Sequence, residues 1–465
     1  MVTHTAPGAA TPAHDRPADG LRLRRDAELS EADGRLGVSG PAGTLRLRDL
    51  PPGAKAALSA LATADVTEAD LTATVVAGDG LAGLLRWNML LRQLAMNGLL
   101  EYAADGVRLR PAGTGPVEPA APLDPDTRVR LSRFAVATAE DGVLTVRSPR
   151  HPGVVELAPA AAGLLGALAD WTTPAELPGD ERALRFFAGA GLLTRTGEED
   201  DRSHAQWSPR DLWLHAHSRG PRVAARYGGS YPLRSRFGPE PASPPAFGGS
   251  RIPLPRPDLE LVAKADPPLT EALERRRSVR EHDPAEPITV RELGELLYRS
   301  MRRRDVFTGD DGQQLADRPY PSGGSVHELE LYPLVVSCQG VEPGLWHYDT
   351  ADHALERVAE PGPATGILVD RARAAAVMEA DPQVLLVVSA RFGRVMWKYE
   401  TIAYSLVLKH VGVLYQTLYL VGTAMGLAVC GLGGGDATDF ATASGLDYLT
   451  EGSVGELVVG SRRGA

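Results

Sequence analysis

The sequence predicts an α+β protein in which two small, similar modules and a Pro/Gly/Arg-rich connector precede a larger C-terminal domain. Three observations carry that reading. In the second half, helix-period patterns such as LTEALERRRS and TVRELGELLYRSM alternate with strand-like apolar runs such as LYPLVVSC, QVLLVVSA and GELVVGS, a mixture proper to an α+β or α/β domain. In the first half, a pattern of strand, helix and amphipathic helix occurs twice. Between the two halves, residues 206–257 lose their periodicity and fill with Gly, Pro and Arg.

The elements can be justified in order. Residues 1–20, MVTHTAPGAATPAHDRPADG, lack the basic and then apolar blocks of a signal peptide and read as a disordered tail. Residues 21–118 contain GTLRLRDLPPGAKAALSALA and then LLRWNMLLRQLAMNGLLEY; residues 119–205 contain GVVELAPAAAGLLGALADW and then ALRFFAGAGLLTR. Each reads as a strand, a turn with Pro, a helix, and an amphipathic helix stopped by Asn-Gly or Gly-Ala-Gly. Small helices plus a hairpin resemble a winged-helix module, here in tandem. Residues 206–257 form a linker or wrapping arm, semi-extended because of its prolines. A new domain spans 258–465.

Composition narrows the function. The 465-residue chain is 23% charged and 43% hydrophobic, an ordinary globular balance. A formal net charge of -10 and the lack of a basic recognition helix argue against nucleic acid and for a protein or peptide partner. Two cysteines, Cys338 and Cys430, make neither a disulfide framework nor a metal site, which fits a reducing cytoplasm. The apolar run Val411–Cys430 approaches the length of a membrane span. It is isolated, contains Gln416 and leads into glycines, so it reads as a helix buried on all sides and not as a membrane segment.

Four stretches carry chemistry. In RRRSVREHD, Arg276, Arg277, Ser278 and Arg280 end a helix pattern and form a candidate phosphate clamp; the bland reading is a basic helix end. In RPYPSGGSVHELELY, Pro321, Ser322, Gly323 and Gly324 fix a turn that a flat ligand can approach closely, if it is more than an ordinary loop. CGLGGGD has Asp436 where a dinucleotide fingerprint needs its third glycine, and it follows a helix pattern instead of a strand. Its exposed amides can bond a cofactor ring, or it is only a helix C-cap.

The fourth stretch, WKYETIAY, sets Lys398 beside Tyr399. Neither group is a base at its ordinary pKa. Burial lowers a lysine, and an adjacent ammonium favours a tyrosinate, so either route tunes the pair toward neutrality. Neighbours on a helix point about 100° apart, so both face one cavity only where the helix ends or the backbone is irregular. The alternative is a snorkelling lysine beside an interfacial tyrosine. His410, twelve residues after Lys398, reads as a packed histidine further along the same helix. His327 either approaches a ligand edge or caps the next element.

Taken together and in this order, the stretches resemble the FMN-dependent nitroreductase superfamily. Within it, PSGGSVHELELY, WKYETIAYSLVLKHVGVLYQ and SVGELVVGS look like the SagB-type dehydrogenases, which oxidise thiazolines or oxazolines to azoles in the maturation of ribosomally made peptides. The resemblance implies a nitroreductase-like FMN-binding domain over 258–465. It implies that Arg276, Arg277, Ser278 and Arg280 hold the FMN phosphate and ribityl chain. Pro321, Ser322, Gly323 and Gly324 would line the isoalloxazine from the partner subunit of a homodimer, and the amides of Leu432, Gly433 and Gly434 would address its polar edge. Lys398 and Tyr399 are the implied catalytic pair, and the run 411–430 the implied dimer-core helix. A precursor peptide is the implied substrate and a cyclodehydratase the implied companion. Relatives of this type carry His-Pro where this chain has His327-Glu328. Arg462 and Arg463 match the family's terminal basic pair only loosely and read as a solvated tail. The rival readings are an NAD(P)H-dependent flavin nitroreductase of small molecules, which has no use for two extra modules, and a catalytically silent peptide-binding scaffold.

Overall fold

The computed structural model describes residues 20–32, 35–41, 43–47, 49–140, 142–177, 181–219 and 228–463; all but Gly20 of the expected 1–20 tail lies outside them. The chain divides into two compact units, 1–225 and 226–465.

In the first unit, β1 (Gly20–Leu23) is followed by a meander of β2 (Glu28–Ala32), β3 (Arg35–Gly40) and β4 (Gly43–Leu47). Helices α1 (Pro52–Thr63), α2 (Glu68–Asp79) and α3 (Gly83–Met96) lead to the hairpin β5 (Leu100–Ala104) and β6 (Val107–Pro111). A second round follows: β7 (Val129–Leu131), β8 (Val136–Glu140), β9 (Val143–Ser148), β10 (His151–Leu157), α4 (Gly163–Ala167), α5 (Glu181–Gly189) and β11 (Leu193–Arg195). The repeated pattern is present as β4–α1–α3–β5 and β10–α4–α5–β11, with α2 added only in the first. Each round has its own apolar cluster, around Leu58, Trp87 and Leu94 in one and Val155, Leu184 and Phe187 in the other. The two rounds nevertheless share one six-stranded sheet, ordered β1-β5-β6-β10-β9-β8, because β6 pairs antiparallel with β10. The boundary expected at 118/119 separates neither cores nor sheets: Ala104, Val107, Leu109 and Val117 belong to the second cluster, because the β5–β6 hairpin packs into it.

Residues 206–257, expected as a linker, are largely ordered by specific bonds. After the short α6 (Arg202–Ala205), α7 (Pro209–Arg219) is held in the first unit by the Trp213 indole, which donates to the Phe134 carbonyl at 2.9 Å. In the second unit, β12 (Arg251–Pro253) pairs with a sheet strand. The Trp397 indole donates to the Phe237 carbonyl (2.8 Å), and Arg394 to the Glu240 carbonyl (2.9 Å). A proline-rich segment has few amides to satisfy, and here side chains of the domain take up its carbonyls.

The second unit continues with α8 (Leu259–Ala265), α9 (Leu269–Arg275), α10 (Val290–Met301), β13 (Asp305–Thr308), β14 (Gln314–Asp317), β15 (Leu329–Val335), β16 (Gly344–Asp349) and β17 (Ala354–Ala359). Then come α11 (Pro363–Ala376), β18 (Val384–Arg391), α12 (Phe392–Met396), α13 (Ala403–Ala424), β19 (Ala428–Gly431), α14 (Ala437–Ser444) and β20 (Glu451–Gly460). Seven strands form one antiparallel sheet, ordered β12-β17-β16-β15-β18-β20-β19. Its central strands are buried on both faces. Leu329, Leu331, Leu386, Val388, Leu457 and Val459 meet α10 and α13, while Tyr332, Leu334, Leu385, Val387 and Val458 meet α11 and α14. This two-sided burial explains why QVLLVVSA reads as a continuous apolar run and not an alternating one. Thr289 and Glu292 cap α10 reciprocally, and its buried Leu293, Leu296, Leu297 and Met301 form one helical stripe.

The long apolar helix starts earlier and ends sooner than the expected 411–430. Within this chain it buries one stripe, Ala403, Val407, His410, Val411, Leu414, Leu418 and Gly422, and leaves Tyr404 and Leu408 exposed. Burial on all sides is thus not what the single chain provides. No described helix is long and apolar enough to cross a membrane.

Candidate functional site

Two polar clusters hang on α13. The first lies just before its N-terminus. The amides of Lys398 and Tyr399 both donate to the Val395 carbonyl, at 3.3 and 2.9 Å, which closes α12, and the helix resumes only at Ala403. Lys398 and His410 are therefore not on one continuous helix, as the sequence suggested. The break also frees the adjacent pair from the 100° divergence of helical neighbours.

The Pro321–Gly324 loop meets this break within the same chain. Gly324 has φ 62°, where a side chain is strained. A Cβ built there would collide with the Tyr399 hydroxyl and lie 3.6 Å from Lys398 Cε and Nζ. Gly323 donates its amide to His410 Nε2 at 2.7 Å, and His410 Nδ1 lies 2.6 Å from Glu328 Oε1. Because Nε2 accepts, Nδ1 must carry the proton and donate to the buried carboxylate. His410 is thus a packed histidine with a defined task, namely holding the loop. Ser322 Oγ accepts the His327 amide at 3.0 Å. His327 itself is buried edge-on to Tyr320. Burial, reinforced by Arg318, His410 and Arg394, pushes its pKa down to about 3, so its ring is neutral and part of the packing.

Lys398 Nζ lies 3.3 Å from Asp311 Oδ2, which also accepts the Tyr231 hydroxyl at 2.9 Å. Burial raises the Asp311 carboxyl, but the Gln313 amide, Tyr231 and Lys398 outweigh it and hold the group below the usual carboxylate range. Tyr399 goes the other way: burial first, then the Asp311 and Glu328 carboxylates, raise its phenol above the ordinary value. The tyrosinate anticipated beside an ammonium is therefore disfavoured, first by burial and then by the nearby carboxylates. Asp311, Tyr231 and Glu328 escaped the sequence reading. Asp311 sits in a GDDG turn like any other turn acid, Tyr231 in the supposed linker, and Glu328 in a strand-like run.

The second cluster surrounds Tyr419, nine residues beyond His410 on α13 and hence about 13 Å along its axis. Ser278 Oγ lies 2.9 Å from the Tyr419 hydroxyl, which also accepts the Gly431 amide at 2.7 Å. The Arg276 guanidinium stands 5.3 Å from the Tyr419 ring centroid. Val279 donates to the Val429 carbonyl, so the arginine segment runs beside β19. Arg275 pairs with Glu271, but among the described residues no carboxylate pairs with Arg276, Arg277 or Arg280. Arg277 Nη1 donates to the Glu274 and Arg276 carbonyls (2.7 and 2.8 Å), capping the helix end. Arg280 and Ser278 line a cleft of about 940 Å³ together with His282, Gln383 and Arg463. Arg463, read from sequence as a solvated tail, shares that cleft.

The glycine loop needs two corrections. It follows strand β19 and not a helix, and Asp436 caps the next helix by accepting the Thr438 and Asp439 amides. It is therefore no helix C-cap. Leu432 donates its amide to the Glu456 carbonyl at 2.8 Å, so that amide is spent on the sheet and is not available to a ligand edge. Gly433 and Gly434 border open space, and among the described residues their amides find no acceptor.

The family match falls within this unit. Residues 273–461 match the model of the nitroreductase family. A protein of Methanocaldococcus jannaschii named as a nitroreductase is 27% identical over 185 residues, 40% of this chain and 85% of that protein. Among solved structures, one named as a nitroreductase from Ralstonia eutropha is 21% identical, covering 49% of this chain and 96% of its own, with a TM-score of 0.37. The Escherichia coli microcin synthetase McbBCD complex with truncated pro-MccB17 bound is 25% identical over 40% of this chain and 70% of its own, with a TM-score of 0.33.

Proposed function

We propose that this chain, whose residues 273–461 form a nitroreductase-family domain, is an FMN-dependent dehydrogenase that oxidises peptide azolines to azoles. The family points to a flavin-dependent oxidoreductase; the azoline reading rests on the lysine–tyrosine pair. The observation that carries it is the approach of Gly324 to Tyr399 and Lys398, leaving no room for a side chain between them. Residues remote in sequence thereby make one polar corner.

The chain's groups suit FMN. Arg276 and Arg280, without carboxylate partners among the described residues, and Ser278 offer cations and a hydroxyl to its phosphate. The open Gly433 and Gly434 amides offer donors to the ring edge. When bound, FMN supplies a two-electron acceptor for the hydride leaving the azoline ring carbon, and oxygen restores it. The protein must remove the α-proton and hold the ring. Tyr399, with its raised phenol, stays protonated near neutrality and serves as a hydrogen-bond donor. Lys398 is the proton acceptor in this reading. His410 and Glu328 keep the Gly323–Gly324 turn in place. The first unit would engage the precursor peptide, and a homodimer and a cyclodehydratase complete the proposed assembly.

The test is mass spectrometry of an azoline-bearing peptide incubated with the flavin-loaded protein. The expected result is a loss of two hydrogens per ring. Yellow protein that leaves the peptide unchanged, but whose flavin is bleached rapidly by NADPH, would replace this reading with a small-molecule reductase.

A further inference from the structure

Tyr231 is an unusual residue for a connector. Its φ of 53° is left-handed, a conformation that costs a side-chain-bearing residue of the order of 1–2 kcal/mol and persists only where surroundings enforce it. Beside the turn bond from the Arg234 amide to the Tyr231 carbonyl, several contacts of Tyr231 converge on Lys398. The Tyr231 amide donates to the Lys398 carbonyl at 3.1 Å. Its hydroxyl donates to the Asp311 oxygen that faces Lys398 Nζ, and its ring lies 5.9 Å from that ammonium and edge-on to Trp397. Asp311 is fixed in turn. Its other oxygen accepts the Gln313 amide at 3.0 Å, and the fully buried Gln313 side chain donates to the Arg394 carbonyl at 2.8 Å. The tip of the β13–β14 hairpin is thus tied beneath α12, and Tyr231 closes over it.

We propose that Asp311 and Tyr231 are positioning residues for Lys398: Asp311 fixes the location of its Nζ beside Gly324, and Tyr231 fixes Asp311. The proposal deepens the azoline reading by naming what holds its base in place. A packing role alone needs neither a carboxylate nor a phenol here, since an apolar contact would anchor residues 228–237 as well. The groups facing Lys398 Nζ are Asp311 and Tyr231 from two different segments, with Tyr399 beside it; Glu328 acts on Tyr399 from the loop side.

Two readouts on the full-length chain test this, one of them independent of turnover. The chain has four lysines, Lys55, Lys264, Lys398 and Lys409. Acetylation of Lys398 by acetic anhydride can therefore be followed against pH by peptide mass mapping, with the other three as references. A carboxylate favours the ammonium, so Asp311→Asn should let Lys398 react at lower pH, about tenfold faster at a fixed neutral pH. Tyr231→Phe should shift it less in the same direction, and Asp311→Glu should restore part of the wild-type profile. On azoline peptide, kcat should fall about tenfold in Asp311→Asn with KM and melting temperature little changed, and its pH–rate limb should move with the labelling. An unchanged Lys398 labelling profile in folded Asp311→Asn overturns the proposal, whatever the activity. A shifted profile in a protein that never oxidises azolines supports the positioning and sinks the azoline reading instead.

Discussion

The two ends of α13 hold polar groups in opposite ways. Before its N-terminus, the key groups are paired within the protein: Lys398 with Asp311, Asp311 with Tyr231, the Gly323 amide with His410, His410 with Glu328, while Glu328 Oε2, His327 Nδ1 and Gln313 Oε1 are buried without a hydrogen-bond partner among the described residues. Toward its C-terminal half, Arg276 and Arg280 face no described carboxylate, and the amides of the exposed Gly433 and Gly434 have no acceptor among the described residues. A matched cluster costs little to keep buried and is set before any ligand arrives. An unmatched, exposed one is tolerable only in water and gains most when an anion comes. The first is therefore suited to reaction and the second to holding.

That contrast can be broken in a defined order. Lys398→Ala, or Tyr399→Phe, should reduce azoline oxidation by roughly 10²–10⁴-fold while the purified protein stays yellow; equal activity by mass spectrometry would remove the reacting role from this end. Arg276→Ala and Arg280→Ala should do the reverse, weakening FMN retention by about tenfold or more each, more steeply at low salt, with little change in kcat at saturating flavin. Fluorescence titration at two ionic strengths measures this. Gly324→Ala should destabilise by about 2 kcal/mol, from left-handed strain and the collision with Tyr399, and lower the melting temperature of the chain by a few degrees.

The smallest effect concerns acid. His327 binds a proton near 6.5 when unfolded but only near 3 in the fold, and His282, driven by burial alone, near 4. Between those values the unfolded chain carries more protons. Their contribution to stability is therefore full above about pH 6.5 and declines as pH falls toward 4. His327→Gln should flatten that slope in urea unfolding at several pH values. An unchanged slope would mean that this ring is not held neutral.

Much of this architecture was legible in the residues. Helix periods and apolar runs locate α10, β15, β18 and β20 because burial on one or both faces writes itself into the pattern. The arginine segment, the Ser-Gly-Gly turn and the Lys398–Tyr399 pair were each visible as polar or glycine departures from that pattern. What sequence could not show is which backbone amides are already used, as at Leu432, or which guanidinium folds back on its own helix, as at Arg277; both depend on bonds set by tertiary placement. Asp311 and Tyr231 were invisible for a related reason. A turn aspartate and a loop tyrosine have the same composition whether they face water or a lysine.

Because His410 and Tyr419 stand on one uninterrupted stretch of helix, α13 also works as a length gauge. The nine residues from His410 to Tyr419 set both the spacing and the relative facing of the two ends. One inserted residue between them would turn one end by about 100° against the other and lengthen the gap by only about 1.5 Å. Seven would restore the facing but add about 10 Å. A change in the distance between the two positions is therefore better absorbed in the loops that reach α13, and the helix tolerates substitution far better than any change in length.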